Sequence, residues 1–278
     1  MPFKTLLSYP VNASVSMHFN NGTVLNLPLN EMTIASYAYS GLIQPYHAYS
    51  PSGTAQGKVV FVNYGSEDDY RALGLLGVNV SGCIVIVKKG GSLSRGAAVE
   101  IAEQKGALGV LMYAEGDVSR GGFGFGVERG TVMKGVGDPL SPGWAGVEDG
   151  ERLELEDNKV LERFPGIPSL PLSFESAQLI LESLGGPLAP QEWRNSGRSK
   201  LSGVGPGQVM VNFTYQVGWL AGRLLMLILF ALFVVTAYLC LFYFWICCLL
   251  GESGWLWCLM LVLKVGLIGF VLISLLTI

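Results

Sequence analysis

Few side chains in this 278-residue sequence carry the chemistry of an enzyme. Only two histidines occur, His18 and His47. A two-metal hydrolase draws its ligands from clusters of His, Asp and Glu. Neither histidine stands in an H-x-D or H-E-x-x-H pattern, and both read as structural residues, at the surface or partly buried. The nucleophile elbow Gly-x-Ser-x-Gly does not occur, so Ser-His-Asp catalysis has no support. The run Gly122-Phe123-Gly124-Phe125-Gly126 lacks the G-x-G-x-x-G spacing and opens no recognisable helix, which removes a nucleotide loop. Arg95 is different. It stands between Ser94 and Gly96 at the start of a helical pattern, where the helix dipole disfavours a cation. A guanidinium forks onto a carboxylate through two charge-assisted hydrogen bonds. An arginine in an electrostatically poor place points to a purpose other than helix stability.

The elements that must position Arg95 are legible around it. Residues 82–88 are apolar on both faces, which predicts a central, buried strand. Gly90-Gly91-Ser92 makes a turn. Residues 95–105 place Ala97, Ala98, Ile101 and Ala102 at the spacing of one helical face, and Gly106 ends the helix. Residues 107–113 are a second buried strand. The unit is strand–helix–strand and predicts parallel pairing. Upstream, residues 13–19 and 23–27 flank the hairpin signal Asn20-Asn21-Gly22. Residues 43–53 are extended between prolines, residues 58–63 are a strand, and Ser66 caps a helix over residues 66–73. Residues 121–126 and 135–146 are glycine-rich without regular period. Residues 148–156 are acidic and solvated. Downstream, residues 164–172 are extended and proline-spaced, Ser173 caps a helix over residues 174–184, and residues 209–215 form a last strand. Strands with scattered helices, rather than strict alternation, predict an α+β domain.

Charge and cysteine divide the chain. The net charge is −3, without the basic stripe that nucleic-acid binding needs. Residues 217–278 carry only Arg223, Glu252 and Lys264 as charges, and four of the five cysteines. Residues 224–250 and 255–278 each exceed the ~20 apolar residues of a membrane span, so they predict two transmembrane helices. Gln216-Val217 is also what CAG followed by GTN encodes, an exon–intron donor, so a translated intron is the other reading of this tail. Cys83 alone in residues 1–216 excludes a disulfide scaffold. Four sequons, at Asn12, Asn21, Asn79 and Asn212, fit a lumenal or extracellular protein, although the first thirty residues hold no signal-peptide core.

A series of motifs falls in one family's order. It runs Ser8-Tyr9-Pro10, Ala48-Tyr49-Ser50-Pro51, Gly82-Cys83-Ile84-Val85, Ser94-Arg95-Gly96, Arg129-Gly130, Gly137-Asp138-Pro139-Leu140-Ser141, Ile167-Pro168-Ser169-Leu170-Pro171 and Val204-Gly205-Pro206-Gly207. Residues 3–216 thereby resemble the protease-associated (apical) domain of the glutamate carboxypeptidase II and transferrin receptor family, in its plant form. The resemblance implies a mixed β-sandwich with flanking helices over residues 1–216, followed by the hydrophobic helical tail of residues 217–278. It implies a membrane-anchored, glycosylated and usually homodimeric protein. The family's two zinc ions lie in a peptidase domain beyond the matched residues, so this chain is expected to be non-catalytic and to hold no cofactor itself.

The same resemblance assigns Arg95 as the arginine that reaches a substrate carboxylate. Thr131 stands where the family has an asparagine after Arg-Gly. Ser141 and Trp144 match positions that help hold a structural calcium, whose other ligands would come from the peptidase domain. The expected function is a lid that helps bind acidic peptides. The alternative is a membrane-anchored, receptor-like module for protein contact.

Overall fold

The computed structural model describes residues 5–29, 44–115, 126–141, 143, 150–195 and 199–221. These fall almost wholly in one compact unit, Leu6–Trp144 with Glu151–Leu220. Its centre is a seven-stranded sheet in the order β2-β1-β9-β4-β5-β6-β8. The strands are β1 (Leu6–His18), β2 (Val24–Asn26), β4 (Gly53–Phe61), β5 (Ile84–Lys88), β6 (Gly109–Tyr113), β8 (Ser169–Leu172) and β9 (Met210–Ala221). A two-stranded parallel sheet joins β3 (His47–Ala48) to β7 (Gly130–Thr131).

Strand β4 belongs to two halves. Its first residues pair antiparallel with β9, from Gly53 opposite Tyr215 to Lys58 opposite Met210. Its last pair parallel with β5, Val59 to Phe61 against Ile84 to Ile86. One half is therefore the antiparallel group β2-β1-β9-β4 and the other the parallel group β4-β5-β6-β8. The halves meet over Gly109 of β6. A Cβ there would lie 2.7 Å from the Phe213 ring and 3.0 Å from Ala55. Large and small residues thus interlock between the antiparallel and parallel groups. The expected sandwich is realised as one mixed sheet that turns on itself through β4.

The predicted strand–helix–strand unit forms as expected. All five residues of β5 and all five of β6 are buried, and they pair in parallel from Ile84 opposite Gly109 to Lys88 opposite Tyr113. Each such aliphatic side chain contributes about 1.5–3 kcal/mol by leaving water. Between them runs α2 (Arg95–Gln104). Its buried face is Gly96, Ala98, Val99 and Ala102, rotated from the predicted one because Ala97 and Ile101 are only half-buried. Helix α1 (Glu67–Leu75) starts at a capping box. The Ser66 hydroxyl accepts from Asp69 N, and the Asp69 carboxylate accepts from Ser66 N. Helix α4 (Phe174–Glu182) is capped by Ser173 and buries Phe174, Ala177, Ile180 and Leu181. Two short helices, α3 (Asn158–Leu161) and α5 (Gln191–Asn195), have no forewarning in the sequence pattern.

The proline-spaced segment hides β8. Pro171 lacks a donor, but β8 is an edge strand that pairs only with β6, so the missing N–H costs no ladder bond. The last strand also runs further than predicted. It continues to Ala221, across the composition change at Val217. Val217 N donates to the Ser52 hydroxyl at 2.9 Å. The Trp219 ring lies 5.5 Å from Phe164 and 6.1 Å from Tyr49, while Tyr49 and Phe164 stack at 5.7 Å. Residues 222–278, where the two transmembrane helices are predicted, lie outside the described residues. Among the described residues no helix is long and apolar enough to cross a membrane.

Candidate functional site: a guanidinium held on a glycine

Arg95 is the first residue of α2, and the Ser94 hydroxyl in front of it accepts from Ala97 N at 3.2 Å. Two glycines fix where its side chain goes. Gly96 presses the first turn of α2 onto the chain after β7, since a Cβ at Gly96 would stand 2.6 Å from the Val132 carbonyl oxygen. Gly130 then receives the guanidinium. A Cβ at that position would lie 2.5 Å from an Arg95 terminal nitrogen. The fork therefore rests on bare backbone of β7 and is only 19% exposed.

A carboxylate already occupies this fork. Arg95 donates to Glu128 Oε1 at 2.7 Å, and Lys89 Nζ forms an ion pair with the same oxygen. The Arg95 Nε is buried and has no hydrogen-bond partner among the described residues. Burial pulls the Arg95 pKa down. Lys89 is also held below its usual range, by burial first and by Arg95 second. Lys88 adds a third cation, 4.7 Å above the Tyr64 ring and 3.9 Å from Glu115. The turn at Gly90 (φ +149) packs against Tyr64 so closely that a Cβ would meet the ring at 2.7 Å. Two cations, Arg95 and Lys89, therefore meet on one carboxylate oxygen of Glu128.

Thr131 follows Gly130 in β7. Its hydroxyl accepts from Met133 N at 3.1 Å, and the residue is exposed. Of the two residues that the sequence names here, Arg95 lies against Gly130, and Thr131 is the next residue along β7. The sequence does not single out Glu128 or Lys89, and it names Gly130 only as part of the Arg129-Gly130 motif. Glu128 lies 33 residues from Arg95 and 39 from Lys89, in a stretch with no periodicity to align it.

Ser141 is elsewhere. It is buried, and its hydroxyl donates to Asp138 Oδ2 at 3.1 Å, while Asp138 Oδ1 accepts from Leu6 N at 3.0 Å. Arg163 clamps the same loop by donating to the carbonyls of Lys134, Val136 and Asp138. Calcium takes six to eight oxygen ligands. Here the Asp138 oxygens accept from Ser141 and from Leu6 N, and Trp144 lies outside the described residues. Among the described residues no group of three or more His, Cys, Asp and Glu side chains gathers to hold a metal, zinc included.

The histidines are both engaged. His18 Nε2 is 2.9 Å from the Ser16 hydroxyl. His47 is fully buried, deeper than expected. Its Nδ1 lies 2.6 Å from the Ser169 hydroxyl, and its carbonyl accepts from the Tyr215 hydroxyl. Burial, and secondarily Arg95, lower its pKa from 6.5 to about 3. The folded chain therefore keeps His47 neutral while the unfolded chain protonates it below 6.5. Stability is complete above pH 6.5 and falls as pH drops towards 3, by about 1.4 kcal/mol per pH unit from this group. Urea melts between pH 4 and 7 check this, because His47→Gln is expected to flatten the slope by about one proton. An unchanged slope would contradict the assignment.

The sequons also differ. Asn12, Asn21 and Asn79 are exposed. Asn212 lies in β9 opposite Gln56, half-buried, with an amide oxygen that has no hydrogen-bond partner among the described residues.

Comparison with known proteins agrees with this architecture. A family profile described as the PA domain matches residues 47–142. "Probable glutamate carboxypeptidase AMP1" of Arabidopsis thaliana is 58% identical over 215 residues, which cover 77% of this chain and 30% of that protein. "Probable glutamate carboxypeptidase VP8" of Zea mays is 43% identical over 217 residues, 77% of this chain and 29% of that protein. "Aminopeptidase NAALADL1" of Rattus norvegicus is 34% identical over 224 residues, 74% of this chain and 29% of that protein. The chain spans about 30% of the length of these curated relatives. It carries a PA domain and is a homologue of the glutamate carboxypeptidase-like proteins.

Proposed function

We propose that this chain supplies the non-catalytic, substrate-recognising lid of a glutamate carboxypeptidase-like exopeptidase. Arg95 is the residue that receives an acidic group of a peptide. The observation that carries this reading is the fork itself. It is held on Gly130, set beside Lys89, and occupied by the Glu128 carboxylate. Glu128 stands where a substrate carboxylate would bind and must give way to it. The side chain of Glu128 is 42% exposed, so releasing it to water costs little. Thr131, next along β7, is exposed, and its hydroxyl accepts from Met133 N. The chemistry of peptide cleavage belongs to zinc in a peptidase domain, and this chain contributes binding and orientation.

Membrane attachment, homodimerisation and glycosylation at the exposed Asn12, Asn21 and Asn79 are part of the same proposal. They rest on the apolar composition of residues 217–278, on the likeness to the plant carboxypeptidases and on the accessibility of the three sequons. The test is calorimetric titration of the full chain with a short peptide ending in glutamate, against its glutamine counterpart. Preferential binding of the glutamate peptide is the expected result. Equal binding of both, or of neither, sinks the reading.

A further inference from the structure

His47 is a buried titratable group that the proposed reading leaves without a part. It is fully buried, and its Nδ1 meets the Ser169 hydroxyl of β8 at 2.6 Å. The other ring nitrogen, Nε2, is buried too and has no hydrogen-bond partner among the described residues. A buried polar atom left without a partner costs stability, and folded proteins rarely keep one without a use. The backbone of β3 does not depend on Nε2. The His47 carbonyl accepts from the Tyr215 hydroxyl of β9 and from Ser50 N.

The register of the small sheet fixes what stands next to the ring. His47 of β3 lies opposite Gly130 of β7 in a parallel pair. Residues opposite one another on neighbouring strands project to the same face, with the strands about 4.8 Å apart. Gly130 has no side chain, and the Arg95 guanidinium takes that space. A Cβ at Gly130 would lie 2.5 Å from a terminal nitrogen of Arg95 and 3.0 Å from its Nε. Imidazole and guanidinium are therefore neighbours on one face of the β3–β7 ladder. The electrostatic action of Arg95 on His47 agrees with this placement. Arg95 Nη2 donates to Glu128, whereas Arg95 Nε is buried and, like His47 Nε2, lacks a partner among the described residues. The fork thus has one edge engaged by a carboxylate and one edge turned inward. Arg95 Nε is a donor. His47 Nε2 is an acceptor when the ring proton sits on Nδ1, and a cation alongside favours that tautomer.

We propose that His47 is a positioning residue for Arg95, an imidazole with a bare Nε2 that accepts from the inward Nε edge, directly or through one water, and so aims the other edge at a carboxylate. The proposal rests on the reading of Arg95 as a carboxylate receiver and adds what orients it. A binding group is held in its productive geometry when a supporting hydrogen bond locks its rotamer. Gly130 gives the guanidinium a floor, and His47 gives it a stop on one side. A lysine in place of His47 would repel Arg95. A carboxylate there would draw the fork inward, away from its ligand.

The chain has two histidines, so nitrogen NMR of the full chain with labelled histidine shows two imidazoles, and His18→Gln assigns them. The expected wild-type spectrum has the His47 proton on Nδ1 and none on Nε2. Arg95→Ala is expected to move the His47 Nε2 resonance, because its neighbouring cation is gone, and to leave His18 in place. The second measurement is calorimetric titration with the glutamate-ending peptide. His47→Gln is expected to weaken binding roughly 3- to 10-fold in the wild-type background and to add nothing in Arg95→Ala, because nothing is left to orient. A purely structural histidine would instead weaken binding by the same factor in both backgrounds. A wild-type spectrum with the proton on Nε2, or a His47 resonance that ignores Arg95→Ala, overturns the proposal. So does wild-type affinity in His47→Gln, or an equal loss in both backgrounds. A wild-type chain that binds no glutamate peptide sinks the reading of the fork as a ligand site, and the His47 resonance then decides by itself whether the imidazole orients Arg95.

Discussion

Replacing Phe213 by alanine is expected to destabilise the chain by about 3–5 kcal/mol, measured as the shift in a urea unfolding curve at constant slope. Phe213 is fully buried in β9, pairs opposite Ala55 of β4, and sets its ring on Gly109 of β6. It is the residue through which the antiparallel group touches the parallel group. Alanine there removes the contact on both sides, and neither backbone can close the gap, because each is fixed in its own ladder. A domain's whole stability is about 5–15 kcal/mol, so the loss leaves much of the chain unfolded under mild stress. A cost below about 1 kcal/mol would mean that the two groups do not stack over Gly109.

Arg95→Ala is expected to lower affinity for a glutamate-ending peptide about 10- to 100-fold, the worth of a hydrogen-bonded charge pair in a partly shielded site. Its effect on stability is expected to be small. The pair it breaks is with Glu128, which is partly exposed and keeps Lys89 as a partner. The buried and unpaired Nε disappears with the side chain, which offsets part of the loss. Arg95→Lys is expected to recover little, because an ammonium cannot make the planar fork that rests on Gly130. A large fall in Tm with unchanged peptide affinity would make Arg95 a structural residue. Isothermal calorimetry and a thermal melt on the same samples separate the two outcomes.

Much of the fold is legible in the sequence where local chemistry decides it. The all-apolar runs of β5 and β6, the serine caps at Ser66, Ser94 and Ser173, and the Asn-Gly hairpin each act within a few residues. Long-range geometry is what the sequence hides. Pro171 looks like a breaker until the sheet order shows that β8 has only one neighbour. The composition change at Val217 looks like an end to the domain, yet Trp219 joins Tyr49 and Phe164, which lie far away in sequence. The site divides in the same way. Arg95 is visible because it opposes the dipole of its own helix. Glu128 and Lys89 are invisible, and Gly130 shows only within the Arg129-Gly130 motif, because they matter only once α2 crosses β7. The fully buried His47 belongs to this second class, since its burial depends on Ser169 and Tyr215.

The central claim is that Glu128 holds the place of a ligand carboxylate in the Arg95 fork. Glu128→Gln tests it most directly, because it removes the internal competitor and leaves the fork, the glycine beneath it and Lys89 in place. The account predicts that this variant binds a glutamate-ending peptide about 3- to 10-fold more tightly than the wild type, and that adding Arg95→Ala abolishes the gain. Unchanged or weaker binding by Glu128→Gln would contradict the account and make the Arg95–Glu128 pair a brace of the fold.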